Sequence, residues 1–223
     1  MTASQLKPAS LRRAIAPADK SERRAAIVRA ATELARGDPS CSCSVDQLAA
    51  KAGVAKGTVY LYFGSREEVL LAVHEKQSHE LFDVVERALA APQPSGKSVV
   101  RAGLLYVRAH PQFYPLAANC RSMLDTNVST EVALAFKLGV GKRLQTLGAR
   151  IEALYPGLKA GEGAALLMNC YALIIGLWQQ AEPPLSLKAV MDRPEMRIFK
   201  IDFEKQLNAA LLDLWEAAAR RVK

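Results

Sequence analysis

The chain has 223 residues, half of them hydrophobic and 23% charged, with 30 Lys/Arg against 22 Asp/Glu for a formal net charge of +8. That length and apolar content suffice for a buried core and exclude an intrinsically disordered chain. The positive excess is lopsided: residues 1–66 carry eleven basic against five acidic side chains, residues 67–223 nineteen against seventeen. A negatively charged partner such as a nucleic-acid backbone is expected at the N-terminal end, although a basic segment also serves as a plain solubilising tail.

In chain order, residues 1 to about 19 hold Pro8, Pro17 and scattered polar residues, and read as a disordered basic arm. A first helix is predicted over 21–36, with Ile27, Ala30, Ala31 and Leu34 at helical spacing and Gly37-Asp38-Pro39 as its stop. Two short helices follow near 45–52 and 55–62. Ser44 caps the first, and Gln47 three residues later completes a capping box. Leu48, Ala52 and Val54 supply apolar contacts, and Ala49 is small where a second helix must cross closely. Gly53 stands where a tight turn wants positive φ. Val59 falls on the inner face of the second helix and leaves Lys56, Thr58, Tyr60 and Tyr62 to face a groove. This is the spacing of a helix-turn-helix, which sets a short helix into the major groove of DNA.

A fourth helix is predicted over 65–91, opened by a second capping box of Ser65 and Glu68, with Leu70, Val73, Gln77, Leu81 and Val84 as its stripe. Its first turn belongs to the DNA-binding head and its later turns to the rest, so it is the one element able to connect the two. Further helices are predicted near 97–110, 112–123, 129–154, 161–180 and 200–220, with no alternating runs that would indicate strands. The helix at 161–180 is apolar nearly all round and must be covered by its own domain or by a second subunit. The last helix carries Leu207, Leu211, Leu214, Trp215 and Ala218 on one face.

The run Gly57-Thr58-Val59-Tyr60-Leu61-Tyr62-Phe63, leading into Gly64-Ser65-Arg66-Glu67-Glu68-Val69-Leu70, resembles the signature of the TetR (tetracycline-repressor) family of bacterial transcription regulators. The close resemblance spans roughly residues 22–73; the remainder matches in length and helical pattern. Two departures stand out. Ala55 replaces the Ser or Thr usual at the start of the recognition helix, and Arg66 replaces a usual Lys. The resemblance implies an all-α fold: a three-helix DNA-binding head over residues 20–66, and a helical ligand-binding and dimerisation domain over 67–223. It also implies a dimeric, sequence-specific regulator of transcription, a repressor released by a small organic ligand.

On that reading Ser44, at a helix N-terminus, meets a phosphate, while Lys56, Gly57 and Thr58 lie closest to base edges. Tyr60, Tyr62 and Arg66 hold the backbone of a palindromic duplex. Tyr106, Phe113, Tyr114, Met123, Phe136, Met168 and Tyr171 are the candidate lining of a cavity for a mostly apolar organic ligand, although ordinary core packing is the simpler account of each. Leu166, Leu173, Leu177, Leu211 and Leu214 are the expected anchors of a homodimer.

The rival classes are an all-helical enzyme and a protein-interaction module without DNA binding. No Ser-His-Asp or Cys-His grouping, Walker or GxGxxG loop, or metal cluster is visible, and Gly139-Val140-Gly141-Lys142 lacks P-loop spacing. No cofactor is expected. Cys41, Cys43, Cys120 and Cys170 show no paired spacing and read as free thiols, and His74, His79 and His110 read as structural or solvated. Lys7, Arg12 and Arg13 precede no apolar run, and the most hydrophobic stretch, 163–178, is interrupted by Asn169. A cytoplasmic protein without a membrane span is expected.

Overall fold

A computed structural model describes residues 17–38 and 42–221. Their helices are α1 (Pro17–Gly37), α2 (Val45–Ala52), α3 (Lys56–Tyr62), α4 (Arg66–Leu89), α5 (Gly96–Ala109), α6 (Phe113–Thr126), α7 (Thr130–Leu154), α8 (Glu162–Ala181), α9 (Lys188–Met191) and α10 (Phe203–Ala219). Most of the predicted arm lies outside the described residues, but Pro17, assigned to it, already opens α1. Residues 185–199, for which the sequence suggests no element, form α9 between two 3-10 segments, Leu185–Leu187 and Pro194–Phe199.

Side-chain caps set half of the ten α-helix starts among the described residues. Ser44, Ser65, Ser95, Ser129 and Asp202 each accept a backbone N–H from three residues on, which satisfies one of the donors a helix N-terminus leaves open. The box at Ser44 is complete, because Gln47 Oε1 accepts the Ser44 N–H at 2.7 Å. The box expected at Ser65 closes differently. Ser65 accepts the Glu68 N–H at 3.0 Å, but the Glu68 carboxylate takes the N–H of Gly64 at 2.7 Å instead of that of Ser65.

Two apolar clusters hold the molecule. The first joins α1, α2 and α3 (Ile27, Leu48, Val59) to the start of α4 and continues into Leu116, Cys120 and Phe136 of α6 and α7. The second gathers the far half of α4 with α5, α6, α7, α8 and α10 around Phe113, Leu147, Leu207 and Trp215. Residues 68–74 of α4 are all buried, instead of one stripe, because the head helices cover one side and α6 and α7 the other. Further along, Leu81 and Val84 of the predicted stripe are only half-buried, and Val85 is buried.

At the crossing of α7 and α8 the backbones touch: a Cβ on Gly163 would lie 2.2 Å from the carbonyl oxygen of Gly148. Gly163→Val is therefore expected to destabilise the fold by about 3 kcal/mol, the upper end of overpacking costs. Urea denaturation reads this directly, and an unchanged midpoint would contradict the close approach.

Candidate DNA-binding helix and ligand cavity

The helix-turn-helix is assembled by a few residues. Gly53 adopts φ 67° and its N–H bonds the carbonyls of Ala49 and Ala50, ending α2 in the left-handed turn that only glycine takes without strain. Leu48 and Val59 are buried at 0% and 1% exposure and Ala49 at 4%, so the two short helices close on one another through them. Ala55 has the extended backbone of an N-cap but makes no side-chain hydrogen bond. The departure at Ala55 thus leaves α3 without a side-chain cap. Phe63 seals the end of α3 in the core, with the Arg24 guanidinium over its ring at 4.9 Å.

This packing turns Lys56, Gly57 and Tyr60 outward, Tyr60 at 50% exposure, and leaves Thr58 half-buried. Leu61, which sequence reasoning passed over, is 75% exposed on the same helix. Lys56 Nζ pairs with Asp46 of α2 at 2.9 Å, which raises the lysine pKa and holds its ammonium at the start of α3. Tyr62 is half-buried and rests partly on the head core. Ser44 is exposed with its hydroxyl engaged in the capping box.

Arg66 is placed differently from the other expected DNA contacts. Its Nε–H donates to the Cys43 carbonyl at 2.6 Å, and its Nη1 pairs with Glu67 at 3.0 Å. The guanidinium therefore ties the start of α4 to the segment ahead of α2. Cys43 itself is a buried free thiol whose pKa burial pushes up; Cys41 lies outside the described residues.

The junction between head and body is polar. Glu68, 8% exposed, accepts the Gly64 N–H and, at 3.1 Å, the N–H of Ser129, the N-cap of α7. Ser65 Oγ donates to the carbonyl of Asn127. The α6–α7 loop is thus bonded to the first turn of α4, immediately behind the recognition helix.

A cavity of about 180 Å³ lies between α4, α5, α6, α7, α8 and α10. Of the seven residues expected to line one, Phe113, Phe136, Met168 and Tyr171 do so. Three do not. Tyr106 stacks on His110 and donates its hydroxyl to Glu80 at 2.8 Å; burial, and then the Glu80 carboxylate, drive its pKa up. Tyr114 is buried between Trp178 and Phe203, its pKa pushed up to about 12 by burial. Met123 sits in the head-side cluster. Helical spacing did not fix which face of α5 and α6 turned inward, and these three lie on other faces.

The structure adds residues that the sequence reading set aside. His74, expected to be structural or solvated, is 1% exposed and stands on the cavity wall, with its pKa held down to about 4 by burial and then by the Lys137 charge. Its Nε2 lies 3.1 Å from the Tyr171 hydroxyl, and its Nδ1 has no hydrogen-bond partner. Ser78, Lys137 and the thiols of Cys120 and Cys170 complete the polar lining. A histidine closing the apolar run 69–73 of α4 was the sequence signal for this pole.

Two of the expected dimer anchors are already spent within the subunit: Leu166 is buried at 7% and Leu211 at 4% in the second cluster. Leu173, Leu177 and Leu214 are half-buried. α8 is long and apolar enough to cross a membrane by composition, yet only 17% of its apolar window is buried, and Met168 is 58% exposed. One subunit thus covers only part of this helix.

Comparison with known proteins places this architecture. Residues 27–73 match the family model of bacterial regulatory proteins of the tetR family, and residues 75–219 match the model of the tetracyclin repressor-like C-terminal domain. The regulator EthR of Mycolicibacterium smegmatis is 33% identical over 130 residues, covering 50% of this chain and 59% of that protein. The chain spans less than two thirds of the length of the curated relatives it matches. Among solved structures, a possible TetR-family regulator from Streptomyces coelicolor A3(2) superposes with a TM-score of 0.56 at 20% identity, covering 87% of this chain and 97% of that one. FadR of Bacillus subtilis, solved in complex with stearoyl-CoA, gives 0.55 at 16% identity, covering 89% of this chain and 99% of that one. With a head and a body matched in register over most of its length, the chain belongs to the TetR family of bacterial DNA-binding transcription regulators.

Proposed function

We propose that this protein acts in the cytoplasm as a homodimer that binds a palindromic operator and represses transcription until a small organic ligand releases it. Residues 20–66 form the DNA-reading head and 67–223 the ligand-binding and dimerisation body, with α4 shared. The observation that carries this reading is the outer face of α3. Lys56, Gly57 and Tyr60 stand exposed on a helix fixed by α2, and a Cβ added at Gly57 would meet nothing within 4 Å. Nothing inside the subunit requires that glycine, whereas a groove closing over the helix does. Two such helices related by a twofold axis read half-sites about one helical turn apart or more.

The uncovered faces of α8 and α10 support dimerisation, with Leu173, Leu177 and Leu214 as the remaining anchors. The cavity beside α4 supports ligand control. FadR of Bacillus subtilis was solved with stearoyl-CoA, but a cavity of about 180 Å³ lies below the roughly 300–1,000 Å³ of drug-sized sites and favours a smaller molecule here. Bound beside α4, the ligand shifts the separation of the two recognition helices with a coupling of about 1–3 kcal/mol.

The test is titration of the full chain against a duplex selected from a random pool. Affinity is expected to fall steeply with salt, with Lys56→Gln lowering the slope by about one phosphate. Arg66→Ala is expected to lower thermal stability as well as affinity, since its guanidinium holds the Cys43 carbonyl. Salt-independent binding, or no enrichment of any sequence, would overturn the reading.

A further inference from the structure

The cavity is chemically asymmetric. Its polar side chains, His74 and Ser78 from α4, Lys137 from α7 and Tyr171 from α8, come from the turns nearer the start of α4. The opposite wall, with Val100, Leu211 and Trp215, is apolar. Among the described residues no Asp or Glu lines it, and Lys137 is the one Lys or Arg that does. Lys137 is exposed, its ammonium 5.6 Å from the Phe136 ring, at the edge of the space.

The hydrogen bonding at His74 specifies what that pole lacks. The Tyr171 hydroxyl lies 3.1 Å from His74 Nε2 and 3.5 Å from the Ala117 carbonyl. In the tautomer that carries its proton on Nδ1, Nε2 accepts the Tyr171 hydroxyl along this shorter contact. Nδ1 is buried without a partner, so in this tautomer an N–H is left unsatisfied beside the cavity. The ring is neutral at physiological pH, because burial and the Lys137 charge both oppose a second proton.

Aromatic rings frame the same end. Phe113, Phe136 and Tyr171 stand 5.6, 6.1 and 6.2 Å from the His74 ring, centroid to centroid, and all three line the cavity. Size sets the limit. An apolar cavity of about 150 Å³ takes up benzene, so about 180 Å³ here holds one ring with one small substituent.

We propose that the cavity binds a single-ring aromatic carboxylic acid, with its carboxylate between His74 Nδ1 and Lys137 and its ring toward Val100, Leu211 and Trp215. The assignment rests on the ligand-controlled reading above and narrows it to one chemical class. The carboxylate accepts the orphaned N–H and meets the cation, and the apolar wall receives the ring. A charge placed against His74 sits two turns into α4, the helix that begins at the DNA-binding head.

Calorimetry on the full chain with benzoate, the neutral isostere nitrobenzene, and stearate tests this. Benzoate is expected to bind about tenfold or more tighter than nitrobenzene, the margin of a charge-assisted hydrogen bond. Lys137→Gln, on an exposed side chain, and Tyr171→Phe, which removes one hydroxyl, are each expected to weaken benzoate more than nitrobenzene and so to shrink that margin. Equal affinity of the two probes, a margin that survives both substitutions, or tighter binding of stearate would overturn the assignment. Preferential benzoate binding that leaves operator affinity untouched at saturation would uphold the ligand class and remove the switching reading instead.

Discussion

Gly57→Ala is expected to make the protein more stable and a poorer DNA binder at the same time. Glycine inside a helix costs about 0.8–1 kcal/mol relative to alanine, so unfolding should become harder by about that amount. No neighbour opposes the change: a Cβ at Gly57 meets no atom within 4 Å, and the residue lies in α3, exposed. The same methyl group would stand where the helix backbone approaches the duplex, and operator affinity is expected to fall about tenfold or more. Thermal melts and operator titrations on one preparation check both signs. If affinity is unchanged, the face of α3 that meets DNA does not include Gly57, and Tyr60 and Leu61 become the better candidates.

Glu68→Ala is expected to cost about 3 kcal/mol of stability, because it removes two hydrogen bonds to a charged, buried acceptor. The N–H groups of Gly64 and Ser129 lose their shared partner, one ahead of α4 and the other at the cap of α7. Glu68→Gln keeps a carbonyl oxygen in place and should recover part of the loss. Hydrogen exchange separates a local from a global effect: the amide of Ser129 should lose protection before those of the α7 interior. Because this contact bonds the α6–α7 loop to the head, the alanine variant should also show weaker coupling between ligand and operator. A variant as stable as the parent would mean that the junction is held by the apolar cluster alone.

Much of the molecule is local in origin, and that part was legible in the chain. The helix-turn-helix is written in contiguous residues: Ser44 and Gln47 close a box three apart, Gly53 takes the positive φ its position required, and Val59 packs where the spacing put it. Caps, turns and short-range helix pairs depend on neighbours within a few residues, so sequence alone determined the head and the helical class. At Ala55 the sequence left open whether a cap came from elsewhere or was missing, and the structure shows no side-chain cap there.

What the tertiary structure decided is which side of each long helix turned inward. In a chain this rich in alanine and leucine, helical periodicity allows several faces to be buried with little energetic difference, and the partner helix makes the choice. That is why Tyr106, Tyr114 and Met123 left the cavity and His74 entered it, and why Leu166 and Leu211 went to the subunit core and not to a dimer face. It is also why Arg66 reaches back to the Cys43 carbonyl, a residue 23 positions away that no local pattern points to. Sequence by itself determined the long helices and the helix-turn-helix with its cap at Ser44 and its turn at Gly53, through interactions between near neighbours. Only the packing of α4 against helices on both sides placed an orphaned histidine donor inside an otherwise apolar cavity.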